Sequence, residues 1–285
     1  MYLEHFGFAQ LPFHLTPNTE LFLGLEPHYE AIQMVNSALS MGEGVIKVTG
    51  EVGTGKTMVC RMLVNHFEPH IQLVYLPNPA LTADELRQAV ATELAVDVAG
   101  SIKIVDDIQS CLIELTKLGK QVVVLVDEAQ ALSDEALEVL RLFGNLETEQ
   151  QKLMQIVLFG QPELDVRLEQ YHLRQFRQRI TFSAKLRSLS LDETVAYIGN
   201  RIVKAGSKHE MFTLAQKTAV WRSSQGIPRL INQICHKSLV FASSQRLPCV
   251  GNAHLYAAIH DTFDARKPKF KRPMLWGWSQ KNECD

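Results

Sequence analysis

The sequence has no long apolar run. Its longest uninterrupted aliphatic stretch is Val122 to Val126, far short of the roughly 18 residues that a membrane-spanning helix needs, so no bilayer crossing is expected. The amino end, Met1-Tyr2-Leu3-Glu4-His5, has no cationic segment followed by an apolar one. A secretory leader is therefore not evident, and the expected compartment is the cytosol. Cysteine is scarce, five in 285 residues without a C-x-x-C pair; this odd count fits neither a disulfide framework nor a zinc site, and reduced thiols are expected. An excess of charge is missing too. The 29 lysines and arginines against 31 aspartates and glutamates leave a net charge of −2, so whole-molecule attraction to nucleic acid is not expected. Internal repeats and low-complexity tracts are also absent.

What is present is an ordinary folded composition, 46% hydrophobic and 21% charged, with length enough for two domains at about 150 residues each. Residues 1–27 carry Phe6, Phe8, Pro12 and Phe13 and read as an apolar arm packing on the core of the domain that follows. From 28 to 184 the pattern alternates between short β-rich runs (45–49, 73–76, 122–126, 155–159) and helical ones. Crossovers of that length predict an α/β domain with a mostly parallel sheet and helices on both faces. The continuous run Val122 to Val126 reads as its central, doubly buried strand. Capping boxes at Ser190–Glu193 and Thr213–Gln216 then open amphipathic helices, so 185–264 reads as a small all-helical domain. Residues 265–285 form a basic, aromatic-containing tail.

The most specific signal is Gly50-Glu51-Val52-Gly53-Thr54-Gly55-Lys56-Thr57, which satisfies G-x-x-x-x-G-K-[ST] between a predicted strand and a predicted helix. Glycines let the backbone wrap closely, so that main-chain N–H groups and a helix N-terminus face phosphate oxygens. Lys56 adds a positive charge at the β- and γ-phosphates, and the Thr57 hydroxyl is suited to a magnesium ion carried by the nucleotide. About 70 residues on, the strand at 122–126 delivers Asp127 and Glu128. Asp127 is the candidate magnesium ligand and Glu128 the candidate for polarising the attacking water. ATP and Mg2+ are therefore the expected cofactors, and magnesium the one metal expected.

Together with Tyr2-Leu3, Pro12-Phe13, Thr16-Pro17, Val126-Asp127-Glu128-Ala129-Gln130, Asn145-Leu146-Glu147, Phe159-Gly160-Gln161-Pro162-Glu163-Leu164, Arg177-Gln178-Arg179-Ile180 and Gly226-Ile227-Pro228-Arg229, these motifs resemble the AAA+ ATPases. Within them the chain is similar to the ExeA/GspA group that accompanies type II secretion and type IV pilus assembly, over residues 1 to about 265. The resemblance implies a P-loop AAA+ domain followed by a helical lid. It implies that Gln161 is a polar sensor of the γ-phosphate or the attacking water. Arg179, with Arg177 second, would be an arginine finger reaching a neighbouring subunit's nucleotide, and Arg229 would be the lid's own sensor. It also places the N-terminal arm near the adenine, with His28 and Tyr29 as further candidates for base contact. Blander readings stand beside these: a strand-end turn for Gln161, a solvated basic face for Arg174 to Arg187, a surface ion pair for Arg229.

The implied function is a homo-oligomeric Mg-ATP-driven motor or switch that works with pilus or secretion assembly proteins, cytoplasmic or peripheral on the inner membrane. Larger members of the group continue past the ATPase into a membrane span and a periplasmic region, so an envelope role is expected here to pass through a partner. The tail's Arg266, Lys267, Lys269, Lys271, Arg272 and Lys281, interleaved with Phe270, Trp276 and Trp278, would suit anionic lipid. Two other functions compete. One is a DNA-targeting ATPase of the transposition or loader type; the other is a scaffold that binds ATP and scarcely hydrolyses it.

Overall fold

The computed structural model describes residues 2–16, 19, 21–77, 79–97, 103–149, 151–207 and 209–268. The expectations for Pro17 and for tail residues 269–285 lie outside these. Contacts divide the chain into two compact units, one of residues 28–52 and 56–186, the other of residues 1–27, 53–55 and 187–285.

The first unit is built on five strands, β1 (Val45–Gly50), β2 (Ile71–Leu76), β3 (Gln121–Val126), β4 (Gln155–Gly160) and β5 (Ile180–Leu186). They pair in the order β2-β3-β4-β1-β5, and every pairing is parallel. Strand β3 is buried along Val122–Val126, because a parallel sheet is covered on both faces and leaves no polar side to its central strands. The two-residue period sorts its side chains. Val122, Val124 and Val126 join Val74, Ile156 and Leu158 in one core, with residues of the helices Ala83–Glu93, Ile104–Lys117 and Asp134–Gly144. Val123 and Leu125 join Ile46, Val48, Val157 and Phe159 in the other, with residues of Glu26–Ser40 and Lys56–His66. Two of these helices are capped at their starts: Thr82 and Glu85 close a reciprocal capping box, and the Ser133 hydroxyl accepts the Ala136 N–H at 3.1 Å.

In chain order the helices are α1 (Tyr2–Phe6), α2 (Glu26–Ser40), α3 (Lys56–His66), α4 (Ala83–Glu93), α5 (Ile104–Lys117), α6 (Asp134–Gly144), α7 (Pro162–Leu168), α8 (Arg174–Arg177), α9 (Leu191–Lys204), α10 (Leu214–Ser224), α11 (Pro228–Ser244) and α12 (Asn252–Asp261). The second unit gathers α1 and α9 to α12. Capping boxes are present at α9 (Ser190, Glu193) and α10 (Thr213, Gln216).

The arm corrects an expectation. Tyr2, Phe6, Phe8 and Phe13 are buried in one cluster with Tyr197, Ile198, Ile202, Phe212, Ile231 and Leu239 of the helical unit. Phe13 meets the Phe212 ring edge-on at 6.1 Å, and the Tyr2 hydroxyl lies 3.0 Å from His236 Nδ1. Buried Arg201 donates to the Tyr197 hydroxyl at 2.8 Å. The physical reason is size: a small helical unit has little core of its own, and four aromatic side chains enlarge it. Cys60, Cys111 and Cys235 are free thiols.

Candidate active site

Strand order assembles the site. Because β4 lies between β1 and β3, the carboxyl ends of the three strands bring together the glycine-rich turn after β1, Asp127 and Glu128 after β3, and Gln161 after β4. The registers Thr49 to Gly160 and Val126 to Leu158 align these ends. A crevice at the carboxyl end of parallel strands is where open α/β sheets bind ligands.

The turn runs from Gly50 to the first residues of α3. Gly53 and Gly55 have φ of 83° and 106°, a region that side chains avoid. A Cβ at Gly53 would stand 2.7 Å from Arg229 Cβ, so close approach as well as conformation requires glycine there. The Arg229 N–H donates to the Gly53 carbonyl at 3.2 Å within the helical unit, while its side chain is exposed. Thr54 is buried at 1% exposure and Lys56 at 5%. Glu51 and Val52 are exposed, and Gly55 and Thr57 are half-buried. Lys56 Nζ donates to the Gly50 carbonyl at 2.7 Å and to the Glu51 carbonyl at 3.0 Å. Burial lowers its pKa, partly offset by the charges of Glu128, Asp127, Glu51 and Glu163. A buried ammonium held at the glycine-rich turn by two main-chain carbonyls can exchange them for phosphate oxygens, with which its hydrogen bonds are charge-assisted on both sides.

The two acids differ. Burial pushes the Asp127 carboxyl up, against hydrogen bonds from the Thr57 hydroxyl and the Glu128 N–H; that N–H lies 2.9 Å from Asp127 Oδ1. Burial also raises Glu128, but hydrogen bonds from Gln130 and Gln161 and the charge of Lys56 outweigh it and hold its carboxyl below the usual range. Gln161 Nε2 donates to Glu128 Oε2 at 3.0 Å, and Gln130 Nε2 donates to the same oxygen. Glu128 itself has φ 54° and ψ 40°, the left-handed region, where a glutamate is strained.

The structure thus brings Lys56, Thr57, Asp127, Glu128 and Gln161 into one constellation. Arg177, at the end of α8, and Arg179, just before β5, are exposed. Arg177 donates to the Glu169 carbonyl at 3.4 Å, and the charge of Arg179 adds to the Lys152 hydrogen bond that lowers Glu147. Neither touches Asp127 or Glu128 among the described contacts. Two residues escaped the sequence reading. Gln130 stood in the quoted motif without a role, and Arg167 had no signal at all.

Asp127 and the Thr57 hydroxyl fit magnesium, which takes few protein oxygens and fills its octahedron with water and substrate phosphate. Among the described residues no group of three or more His, Cys, Asp or Glu side chains could cage a metal alone.

The parallel sheet, its strand order and the glycine-rich turn give an α/β fold of the P-loop kind, similar to AAA domains. Residues 39–168 match the family model described as the AAA domain. The chain is 42% identical over 245 residues to General secretion pathway protein A of Aeromonas hydrophila, an alignment covering 85% of this chain and 45% of that protein. It therefore spans less than half of that relative's length. Among solved structures, the Aeropyrum pernix ORC1 protein in complex with DNA superposes with a TM-score of 0.66 at 15% identity, covering 89% of this chain and 69% of that one. The ORC2 protein of the same organism, in its ADPNP-ADP complexes, gives 0.61 at 15% identity and covers 83% and 66%. At such identities the likeness to the two solved structures concerns the fold.

Proposed function

We propose that this chain is a Mg-ATP-dependent ATPase that acts as a homo-oligomer and assists assembly of a type II secretion machine or an MSHA-like type IV pilus. The observation that carries the hydrolytic reading is the constellation at the strand ends, Glu128 hydrogen-bonded by Gln161 and Gln130 beside buried Asp127 and buried Lys56. Magnesium held by Thr57 and Asp127 would neutralise phosphate charge. Lys56 and the main-chain N–H groups of the turn bind the β- and γ-phosphates. Glu128, held ionised, orients a water and receives its proton as the water oxygen bonds to the γ-phosphorus; the bond to the bridging oxygen breaks, and ADP leaves with that electron pair. Gln161 is the polar sensor, Arg179 (Arg177 second) the group a neighbouring subunit would receive, and Arg229 the lid's sensor.

The secretion context is supported by the 42% identity to General secretion pathway protein A, and the sequence motifs favour the narrower likeness to the MSHA pilus biogenesis protein MshM. Among the described residues no helix is long and apolar enough to cross a membrane. Contact with the inner membrane through assembly proteins, or through the basic tail binding anionic lipid, belongs to the same reading, and vesicle cosedimentation with and without residues 266–285 tests the lipid contact. The enzymatic reading is tested by steady-state phosphate release with Mg-ATP beside Glu128→Gln. Turnover in the wild type that the variant lacks is expected. Tight nucleotide binding with equal, negligible turnover in both would replace the motor by a binding scaffold.

A further inference from the structure

The groups that hold Glu128 form a connected network running outward from the site. Both recorded hydrogen bonds to its carboxylate fall on Oε2, one from Gln161 Nε2 and one from Gln130 Nε2. The other end of the Gln130 amide is engaged as well: its Oε1 accepts the Gln161 backbone N–H at 3.0 Å. Gln130 therefore ties the catalytic candidate after β3 to the sensor candidate after β4 with one planar group. Its own backbone is then fixed from outside. Arg167 on α7 donates through Nη1 to the Gln130 carbonyl at 2.8 Å and to the Leu132 carbonyl at 2.7 Å. Arg167 Nη2 binds Asp134 Oδ1 at 2.5 Å, and Asp134 Oδ2 lies 2.7 Å from His172 Nε2. A guanidinium is the side chain that can span three acceptors in one plane. At neighbouring Gly160 a Cβ would press on Leu164 Cδ2 at 2.6 Å and stand in ordinary contact with Gln130 Oε1 at 3.5 Å.

Two donors on one carboxylate oxygen set the rotation of the whole group. With Oε2 occupied, Oε1 is the oxygen that meets a water. A glutamate in the left-handed region keeps such an orientation only while its surroundings hold it. We propose that Gln130, braced by Arg167, is a positioning residue that fixes which oxygen of Glu128 faces the attacking water. The proposal rests on the hydrolytic reading of Glu128 given above. Neither residue reaches the nucleotide in this role; Gln130 acts on Glu128 and Gln161, and Arg167 acts on Gln130.

The experiment uses the full chain with Mg-ATP and compares wild type, Gln130→Leu, Arg167→Ala, Arg167→Lys, the Arg167→Ala/Gln130→Leu double variant and Glu128→Gln. It measures kcat, KM, the affinity for a fluorescent ATP analogue, and the thermal midpoint. Gln130→Leu keeps side-chain volume and loses both hydrogen bonds; it is expected to lower kcat by about 10- to 100-fold, with KM, analogue affinity and thermal midpoint near wild type. Arg167→Ala is expected to share the kcat loss, Arg167→Lys to restore part of it, and the Arg167→Ala/Gln130→Leu pair to be no slower than Gln130→Leu alone. An active wild type with Gln130→Leu within about two-fold of it in kcat overturns the proposal and leaves the hydrolytic reading standing. A Gln130→Leu protein whose affinity and thermal midpoint fall together with kcat also overturns it, since the residue would then be holding the fold. A wild type no faster than Glu128→Gln removes the hydrolytic reading, and the proposal with it.

Discussion

Glu128 and Gly226 show how single residues carry this molecule. Glu128 takes a left-handed conformation that costs a side-chain-bearing residue roughly 1–2 kcal/mol, and its carbonyl accepts the Ala131 N–H at 2.8 Å. The neighbourhood holds the strain and the carboxylate together. Glu128→Gln keeps the shape, the Lys56 donors and the Asp127–Thr57 pair, so nucleotide affinity should stay within a few-fold of wild type. Turnover should fall by about 10²-fold or more, as phosphate release beside a fluorescent-nucleotide titration would read. Lys56→Ala should do the opposite and abolish tight binding itself. Gly226 has φ of 73°, and a Cβ there would sit 2.0 Å from the Leu189 carbonyl oxygen, which already faces the Trp221 indole N–H at 3.1 Å. Since that neighbour is backbone, Gly226→Ala should destabilise the helical unit by more than about 2 kcal/mol. A thermal midpoint within a degree of wild type would contradict this.

At the scale of elements, helix α9 begins on a cap that also carries charge. The Ser190 N–H donates to Glu193 at 2.7 Å. Arg187 binds the same carboxylate through both terminal nitrogens, at 2.8 and 3.0 Å. Arg187 is the main reason that the Glu193 pKa falls to about 2. A carboxyl depressed in the folded state stabilises above its unfolded pKa, near 4.5, and loses that contribution as pH falls towards 2. Glu193→Gln should therefore lower stability at neutral pH by about 1–2 kcal/mol, an amount discounted for the half-exposed Arg187. The difference should vanish in urea titrations near pH 2.

Such caps were legible in the sequence because they are local: Ser190 with Glu193 and Thr213 with Gln216 each announce a helix that begins at the next residue. The buried strand at Val122–Val126 and the turn at Gly50–Thr57 were legible for the same reason. Non-local pairing was not. The aromatic spacing of Phe6, Phe8 and Phe13 says that they are buried but not against what, and the helical unit rather than the sheet receives them. Gln130 and Arg167 meet across 37 residues, a distance at which no periodicity connects an α7 arginine to a loop carbonyl.

The whole molecule raises a question that one chain's contacts leave open, since neither Arg177 nor Arg179 touches the Asp127–Glu128 pair of its own chain among the described contacts. Both residues are exposed between the end of α8 and β5, in a segment with no acidic residue from Gln170 to Leu191. An exposed arginine of this kind stabilises transition-state charge only where another molecule's phosphate approaches it. If Arg179 serves a neighbouring subunit, Glu128→Gln and Arg179→Ala should each be inactive alone by complementary defects. One keeps a donor arginine beside a dead site; the other keeps a competent site beside a missing arginine. Mixing them should restore hydrolysis, because an Arg179→Ala subunit then receives Arg179 from a Glu128→Gln neighbour. In a randomly mixed ring at equal proportions, about a quarter of the interfaces would have that pairing. The recovered rate should therefore rise towards a quarter of wild type, increase with total protein concentration, and disappear when Arg177→Ala/Arg179→Ala replaces the arginine donor. Activity that stays at zero in every mixture, while each variant still assembles, would mean that Arg179 acts within its own chain or not at all.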